Sequence, residues 1–447
     1  MAHPAETKKP LPREPVDAVI DPFKRFLHIE SASGIVLLIA AITALVLANS
    51  PLGDGFLAFW KKKVGFTFGT FQVYHSLQHW INDGLMAIFF FVIGLEVKRE
   101  LVMGELRDLR QAALPIAAAT GGMIVPACIY LTLQYGAPGQ SGWGITMATD
   151  IAFVVGCLAV LGSRIPNSFR VLLLSLAIAD DIGAIIVIAI GYTESLSLTA
   201  LVLAIIGIGI MLFLMWVGVR NIAIYLILMV LVWFGFHESG IHATIAGVIF
   251  GLLTPTKSWI SEKQLGDIFQ RTGHFLRGDG WGDTGERYTT LRQTGIAARK
   301  SLSPLERFEN ELHPWVGFVI MPIFALANAG VSIQVSDITN PVATAVGLGL
   351  LAGKPIGIVF FSWLAVKIGL ARLPVGINWG AITGGGFLAG IGFTMAIFIA
   401  SLALEGALLD AAKVGILGGS ALAGLSGVML LILFLPKPSQ SETDAGK

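Results

Sequence analysis

Two adjacent aspartates, Asp180 and Asp181, stand in the middle of a long apolar run, and a third, Asp150, stands inside the run before it. Between Gln111 and Val219 the only other charged residues are Arg164, Arg170 and Glu194, all near the ends of apolar stretches. A carboxylate at the centre of a membrane-spanning helix costs at least ~2.5–3.5 kcal/mol on the insertion scale, so each needs a partner, a hydrated cavity or a proton. One such residue is accounted for by tying two helices together; three, two of them neighbours, are not. Asp180 and Asp181 lie about 100° apart around a helix and reach one polar wedge between spans. Like charges at close quarters favour proton uptake, and hard oxygen ligands suit a small alkali cation. Thr149, beside Asp150, adds a hydroxyl or a freed backbone carbonyl. The same oxygens can hold protons or a metal cation, but not both well.

A counter-charge is available. Lys354, in Gly353-Lys-Pro-Ile-Gly357, lies far from either end of its own apolar segment. Pro355 removes one helical hydrogen bond there, so the backbone around the lysine is expected to be irregular. A snorkelling lysine is the alternative, and it is disfavoured by the distance to either end.

The elements that must position these groups follow from composition. Of 447 residues 55% are hydrophobic and 13% charged, against about 25% charged in soluble domains. Glycine, at 53 residues, is abundant, as in helices packed closely in lipid. A soluble enzyme, a disordered chain and a fibrous protein are excluded, and a net charge of +1 gives no case for nucleic acid. The fold class expected is an all-α polytopic membrane protein with about twelve transmembrane helices. The spans are read at 31–50, 82–103, 114–134, 143–161, 168–192, 198–217, 221–236, 240–253, 314–333, 342–366, 380–402 and 414–435. The seventh and eighth are short, so a partly re-entrant segment is expected among them.

With the N-terminus inside, this even number of spans sorts 25 of the 30 basic residues to the cytoplasmic side and places both termini there. Lys61, Lys62, Lys63 and Lys413 fall outside, and Lys354 within a span. Residues 1–30, with five prolines, read as a cytoplasmic tail, and 436–447 as a second. The region 254–313 is densely charged and reads as a long solvated cytoplasmic loop. In the first outside loop, 51–81, aromatic alternation over 64–74 around Gly69 predicts a β-hairpin whose free edge suits pairing with a second copy, a homodimer. Cys128 and Cys157 match no metal pattern and read as small buried hydrophobes. Finally, Thr146-Met-Ala148 in the fourth span recurs as Thr394-Met-Ala396 in the eleventh, each after a glycine-rich approach. That echo suggests inverted repeats with two interrupted helices, spans 4 and 11.

The segments GLMAIFFFVIGLEVKREL, ATDIAFVVG, LAIADDIGAIIVIA, SGIHATIAGV, LHPWVGFVIMPIFALANAG, GKPIGI and GIGFTMAIFIASLA resemble the NhaA-type sodium/proton antiporters over residues 20–435. The resemblance implies a secondary active transporter rather than an enzyme, without cofactor, in the bacterial inner membrane, its surroundings the lipid bilayer. It would export sodium or lithium against incoming protons, electrogenically, for pH and sodium homeostasis. It further implies that Asp180 and Asp181 bind the cation and carry protons. Thr149 and Asp150 would then lie at an unwound span centre, with Asp150 offsetting helix-end dipoles and Lys354 pairing with Asp180. Glu96, Arg99, Glu100, Glu309 and His313 match a cytoplasmic pH-response cluster, and His242 a histidine associated with pH response. By spacing alone, Glu96, Arg99 and Glu100 form an interfacial ion-pair cluster. Here the loop before Glu309 is long, and Asn310 stands where a histidine is common. Two rival classes carry less. The Gly424-Leu-Ser-Gly427 and Gly280-Trp-Gly-Asp283 stretches lack the setting of an intramembrane protease: no histidine follows the first, and the second lies in the hydrophilic loop. A proton-coupled carrier of organic solutes would need larger binding groups.

Overall fold

The computed structural model describes residues 30–435, apart from positions 69–70, 193–196, 218, 220–221, 259, 278–283, 333–336, 338 and 375. The expected tails at 1–30 and 436–447 therefore lie outside the described residues, except for Glu30, which begins the first helix. Helices dominate, and every one of the twelve expected segments is helical. They are α1 (Glu30–Ala48), followed by the short α2 (Gly53–Lys61); α3 (Leu77–Val102); α4 (Leu109–Leu133); a 3₁₀ segment Gln140–Met147 continued by α5 (Ile151–Leu161); and α6 (Asn167–Gly191). Then come α7 (Leu198–Val217), α8 (Ile222–Ser239) and α9 (Thr244–Leu253). Past 254 lie α10 (Glu262–Arg277), α11 (Thr284–Lys300), α12 (Pro304–Trp315) and α13 (Met321–Asn328). The last are α14 (Pro341–Lys367), α15 (Trp379–Ala389), α16 (Phe393–Ala403) and α17 (Gly406–Phe434). Seven of the described helical segments are long and apolar enough to cross a membrane unaided. The ten-residue α9 rises only about 15 Å at 1.5 Å per residue, half a bilayer core, as its short sequence predicts.

Four expectations need correction. The region 254–313 is not an open loop: α10 and α11 form a helical pair joined by a 2.7 Å Thr272–Thr294 hydroxyl hydrogen bond. Its apolar positions Leu265, Ile268, Phe269 and Thr272 follow helical spacing, which the charge density concealed. The ninth span starts earlier than 314, because Ser303 and Glu306 form a reciprocal capping box ahead of Pro304. Lys413 does not lie in an outside loop; α17 begins at Gly406 and buries it. Cys128 is exposed on the apolar surface of α4 rather than buried, and Cys157 is intermediate.

The hairpin is present. β1 (Lys63–Phe68) pairs antiparallel with β2 (Phe71–Ser76), in register from Lys63↔Ser76 to Phe68↔Phe71. Two packing units make up the helical body. The larger includes α1, α4, α5, α6, α14, α15, α16 and α17; a smaller one gathers Phe91, Leu95, Met211, Val232, Phe236, Phe250 and Leu305 from α3, α7, α8, α9 and α12.

Where α4 crosses α14, Gly121 and Gly357 let the two backbones touch. A Cβ at Gly357 would collide with the Gly121 carbonyl oxygen, and one at Gly121 with that of Gly357. This crossing sits one turn beyond Lys354. Gly357→Ala must push the helices apart, and overpacking of this kind costs about 1–3 kcal/mol. We expect a lower thermal midpoint in detergent for Gly357→Ala and none for Gly418→Ala on α17, where a Cβ meets open space. Equal midpoints would show that the crossing yields without strain.

Candidate functional site

The fourth and eleventh segments are each interrupted, and the interruptions cross. In the fourth, the 3₁₀ turn ends at Met147 and α5 starts at Ile151; in the eleventh, α15 ends at Ala389 and α16 starts at Phe393, with a 47° bend. The Asp150 N–H donates to the Ile391 carbonyl at 2.7 Å, joining one unwound stretch to the other. The Thr-Met-Ala echo does not mark equivalent places: Thr146 precedes its break and Thr394 follows its own. The glycine-rich approaches, not the tripeptides, signalled the interruptions.

Asp150 occupies the point where two helices begin. One carboxylate oxygen accepts from the Phe153 N–H at 3.4 Å, capping α5; the other accepts from the Thr394 N–H at 3.0 Å and from the Thr394 hydroxyl, capping α16. Each helix N-terminus carries roughly half a positive charge, so one carboxylate matches two such ends. Ser420 on α17 completes the α16 terminus, accepting from the N–H groups of Gly392 and Phe393 at 3.2 Å. Thr394 and Ser420 were not identified as site residues from sequence. Ser420 accepts from backbone amides and Thr394 donates its N–H and hydroxyl to Asp150, uncharged roles that leave no signature in sequence.

Asp180 and Asp181 lie at the centre of α6, whose run from Val171 to Ile190 is otherwise apolar apart from Ser175. Both are buried, as are Thr149, Asp150 and Lys354. Lys354 Nζ donates to Asp180 Oδ2 at 2.5 Å and to the Thr149 hydroxyl at 2.8 Å. That hydroxyl lies 2.6 Å from Asp180 Oδ2 and 2.9 Å from the Ala389 carbonyl, so its single proton serves one acceptor at a time. Lys354 does not snorkel. It is delivered to the interior by a π turn, Gly349–Gly353, followed by Pro355 in the first turn of regular helix. Oδ1 of Asp180 and Oδ1 of Asp181 are buried without a hydrogen-bond partner among the described residues. Buried carboxylate oxygens left without donors are costly. They are also the groups a cation or proton would satisfy.

The remaining candidates divide between two places. Arg99 on α3 pairs with Glu309 on α12 and lies 3.8 Å from Glu100; His313 lies 3.9 Å from Glu96. Glu100 also accepts from the Glu105 N–H at 3.1 Å, closing the end of α3. Glu96, one turn deeper, is near enough to Asp181 for their charges to interact. His242 is elsewhere, in the turn between α8 and α9. Because Gly247 packs on Ala87 and Gly251 on Gly94, α9 runs alongside α3 in the same direction, leaving His242 toward the opposite end from Arg99.

Crossed interrupted helices, with buried carboxylates and one lysine at the crossing, define a polytopic all-α membrane protein with a charged centre in its interior. The family described as Na+/H+ antiporter 1 matches residues 24–431, and the chain belongs to it. It is 55% identical to the Na(+)/H(+) antiporter NhaA of Rhodopirellula baltica over 97% of this chain and 99% of that one. It is 51% identical to the Na(+)/H(+) antiporter NhaA 1 of Acidiphilium cryptum over 96% of each, and 50% identical to the NhaA of Rhizobium meliloti over 95% and 97%.

The double cap makes a prediction. Asp150→Ala removes the acceptor for both helix starts at about 0.5–2 kcal/mol each, whereas Asp150→Asn keeps an acceptor oxygen at one of them. Thermal unfolding in detergent should rank wild type above Asp150→Asn, and Asp150→Asn clearly above Asp150→Ala. Equal losses in the two variants would mean that charge alone, not capping, keeps Asp150 there.

Proposed function

We propose that this chain exchanges sodium for protons across the bacterial inner membrane, as the names of its relatives describe for them, with Asp180 and Asp181 as the shared binding groups. One observation carries the assignment of the site: two neighbouring carboxylates each keep a buried oxygen without a donor among the described residues, while the second oxygen of Asp180 is held by Lys354 and Thr149. Asp180 and Asp181 share a single buried ammonium, Lys354. Asp150 is matched by its two helix ends and Asp180 by Lys354, which leaves Asp181 to take up charge first. A sodium ion can engage Asp180 through Oδ1, and taking both of its oxygens would displace the lysine from Oδ2. Protonation of the same carboxylates withdraws the ligands. The two cargoes therefore exclude one another by chemistry, without a separate lock.

Outward-facing carboxylates would take up protons and release sodium; inward-facing ones would release protons and take up sodium or lithium. Two protons exchanged for one sodium would move one net charge, worth about 2.3 kcal/mol per 100 mV. Such a secondary active cycle, needing no cofactor, would serve pH and sodium homeostasis. Arg99, Glu100, Glu309 and His313 would tune it through Glu96, whose charge reaches Asp181. His242, at the other end, would act separately. Both termini are assigned to the cytoplasm from the distribution of basic residues, and the free edges of the hairpin support a homodimer.

Asp180→Asn and Asp181→Asn should each abolish sodium-dependent pH changes in everted vesicles while the protein still inserts. Substantial exchange in both would overturn the site. Competition also sets the pH response of the wild type. With two protons competing against one sodium, the KM for sodium should rise by up to about a hundredfold per pH unit below both proton affinities. A KM independent of pH, with only the maximal rate changing, would replace competition by a gate.

A further inference from the structure

Away from the carboxylates, three histidines and an aspartate converge where the hairpin meets the helices. His75 ends β2, His79 lies in the first turn of α3, Asp83 in the π turn Ile81–Leu85 that follows, and His237 in the last turn of α8. The rings of His75 and His79 stack at 4.2 Å between centroids, and His237 stands 5.4 and 5.7 Å from them. One ring nitrogen from each of the three histidines falls within 4.8 Å of the other two. Asp83 Oδ2 faces the same point, 3.4 Å from His79 Nε2 and 3.5 Å from His237 Nδ1.

Those spacings are long for hydrogen bonds, which centre near 2.9 Å. The two distances to Asp83 Oδ2 come close to the edge of a tetrahedron about a zinc ion, where bonds of about 2.0–2.1 Å to nitrogen and oxygen give ligand separations of roughly 3.3–3.4 Å. His79 Nε2 is buried and makes no hydrogen bond among the described residues, so its lone pair or proton is unspent. The supporting shell is built. Trp233 stacks on His237 with planes 6° apart, and its indole N–H donates to the Asp83 carbonyl at 3.2 Å. Trp80 donates to the Val64 carbonyl at 2.8 Å, holding the hairpin against α3, and the Ser76 hydroxyl caps the helix start at the His79 N–H. Such outer contacts hold His237 and the helix start in place, while the stacked His75 and His79 rings would turn about their side-chain bonds to aim both in-plane lone pairs at one ion. The cluster is partly exposed, with His79 39% accessible, so an ion can enter from solvent.

We propose that His75, His79, His237 and Asp83 form a divalent transition-metal site of the three-histidine, one-carboxylate type, fitted to zinc. Its ligands come from the hairpin, the start of α3 and the end of α8. A bound ion would clamp the hairpin and α3 to α8 at the face opposite the Arg99–Glu309 pair. This site is separate from the exchange site and makes no use of sodium.

The test uses the purified full-length protein in detergent, with Co²⁺ as a spectroscopic probe and Zn²⁺ as competitor. One equivalent of Co²⁺ should give the intense visible absorption of a four-coordinate ion, and Zn²⁺ should displace it. His79→Gln should weaken Co²⁺ binding at least tenfold, and His274→Gln, on the remote α10, should leave it unchanged. Only the weak absorption of six-coordinate Co²⁺ in the wild type would overturn the proposal, and that measurement stands even where His79→Gln fails to fold. Equal affinity in wild type and a folded His79→Gln would overturn it too. Because the readout is metal binding, it stands or falls independently of sodium/proton exchange.

Discussion

Interrupting a helix inside an apolar interior frees backbone N–H and C=O groups that no bulk water reaches, and each must find a partner in the protein. Here two interruptions solve the problem for each other. The Asp150 N–H reaches the Ile391 carbonyl, the Asp150 carboxylate serves both α5 and α16, and Ser420 takes the amides that remain. Everything else at the centre is arranged around that mutual satisfaction. Thr149 is held beside Asp180 because it belongs to one unwound stretch, and the Ala389 carbonyl faces it because it ends the helix before the other.

Charge then distributes itself by proximity. The two helix starts take Asp150, Lys354 takes Asp180, and Asp181 is left with Glu96 as a charged neighbour of the same sign. A buried pair such as Lys354–Asp180 is poor evidence of net stability, since desolvation offsets most of the attraction. Its value is better seen in what it denies: while the ammonium is seated, half of Asp180 is closed to cations. The Thr149 hydroxyl sharpens the choice, because its one proton cannot reach Asp180 and Ala389 together.

Sequence made the charged members of this centre visible because a carboxylate or lysine inside an apolar run has few cheap explanations. Asp150, Asp180, Asp181 and Lys354 were legible for that reason, and the structure gathers Thr149, Asp180 and Lys354 through direct hydrogen bonds, with Asp150 next in chain to Thr149. Thr394, Ser420 and the two carbonyls were not legible, because groups that act on or through the backbone look like ordinary helix residues. The twelve helical segments followed from apolar length alone. The α10–α11 pair did not, because the charged residues around Leu265, Ile268 and Phe269 mask their helical spacing. The Thr-Met-Ala echo erred in the other way, treating a local match as a structural equivalence.

The π turns carry a geometric consequence of their own. A regular helix advances about 100° per residue, so one extra residue in a turn shifts the rotational phase of all that follows by about that angle. In α14 the turn at Gly349–Gly353 means that residues 341–348 and 354–367 present different faces to the same neighbours. One continuous helix thus packs Val346 into the core on one phase and aims Lys354 at Asp180 on another. A single-residue deletion within the turn would restore a perfect helix and, by doing so, swing the lysine away from its carboxylate. Regularity and aim are incompatible at that place, and the chain has settled for aim.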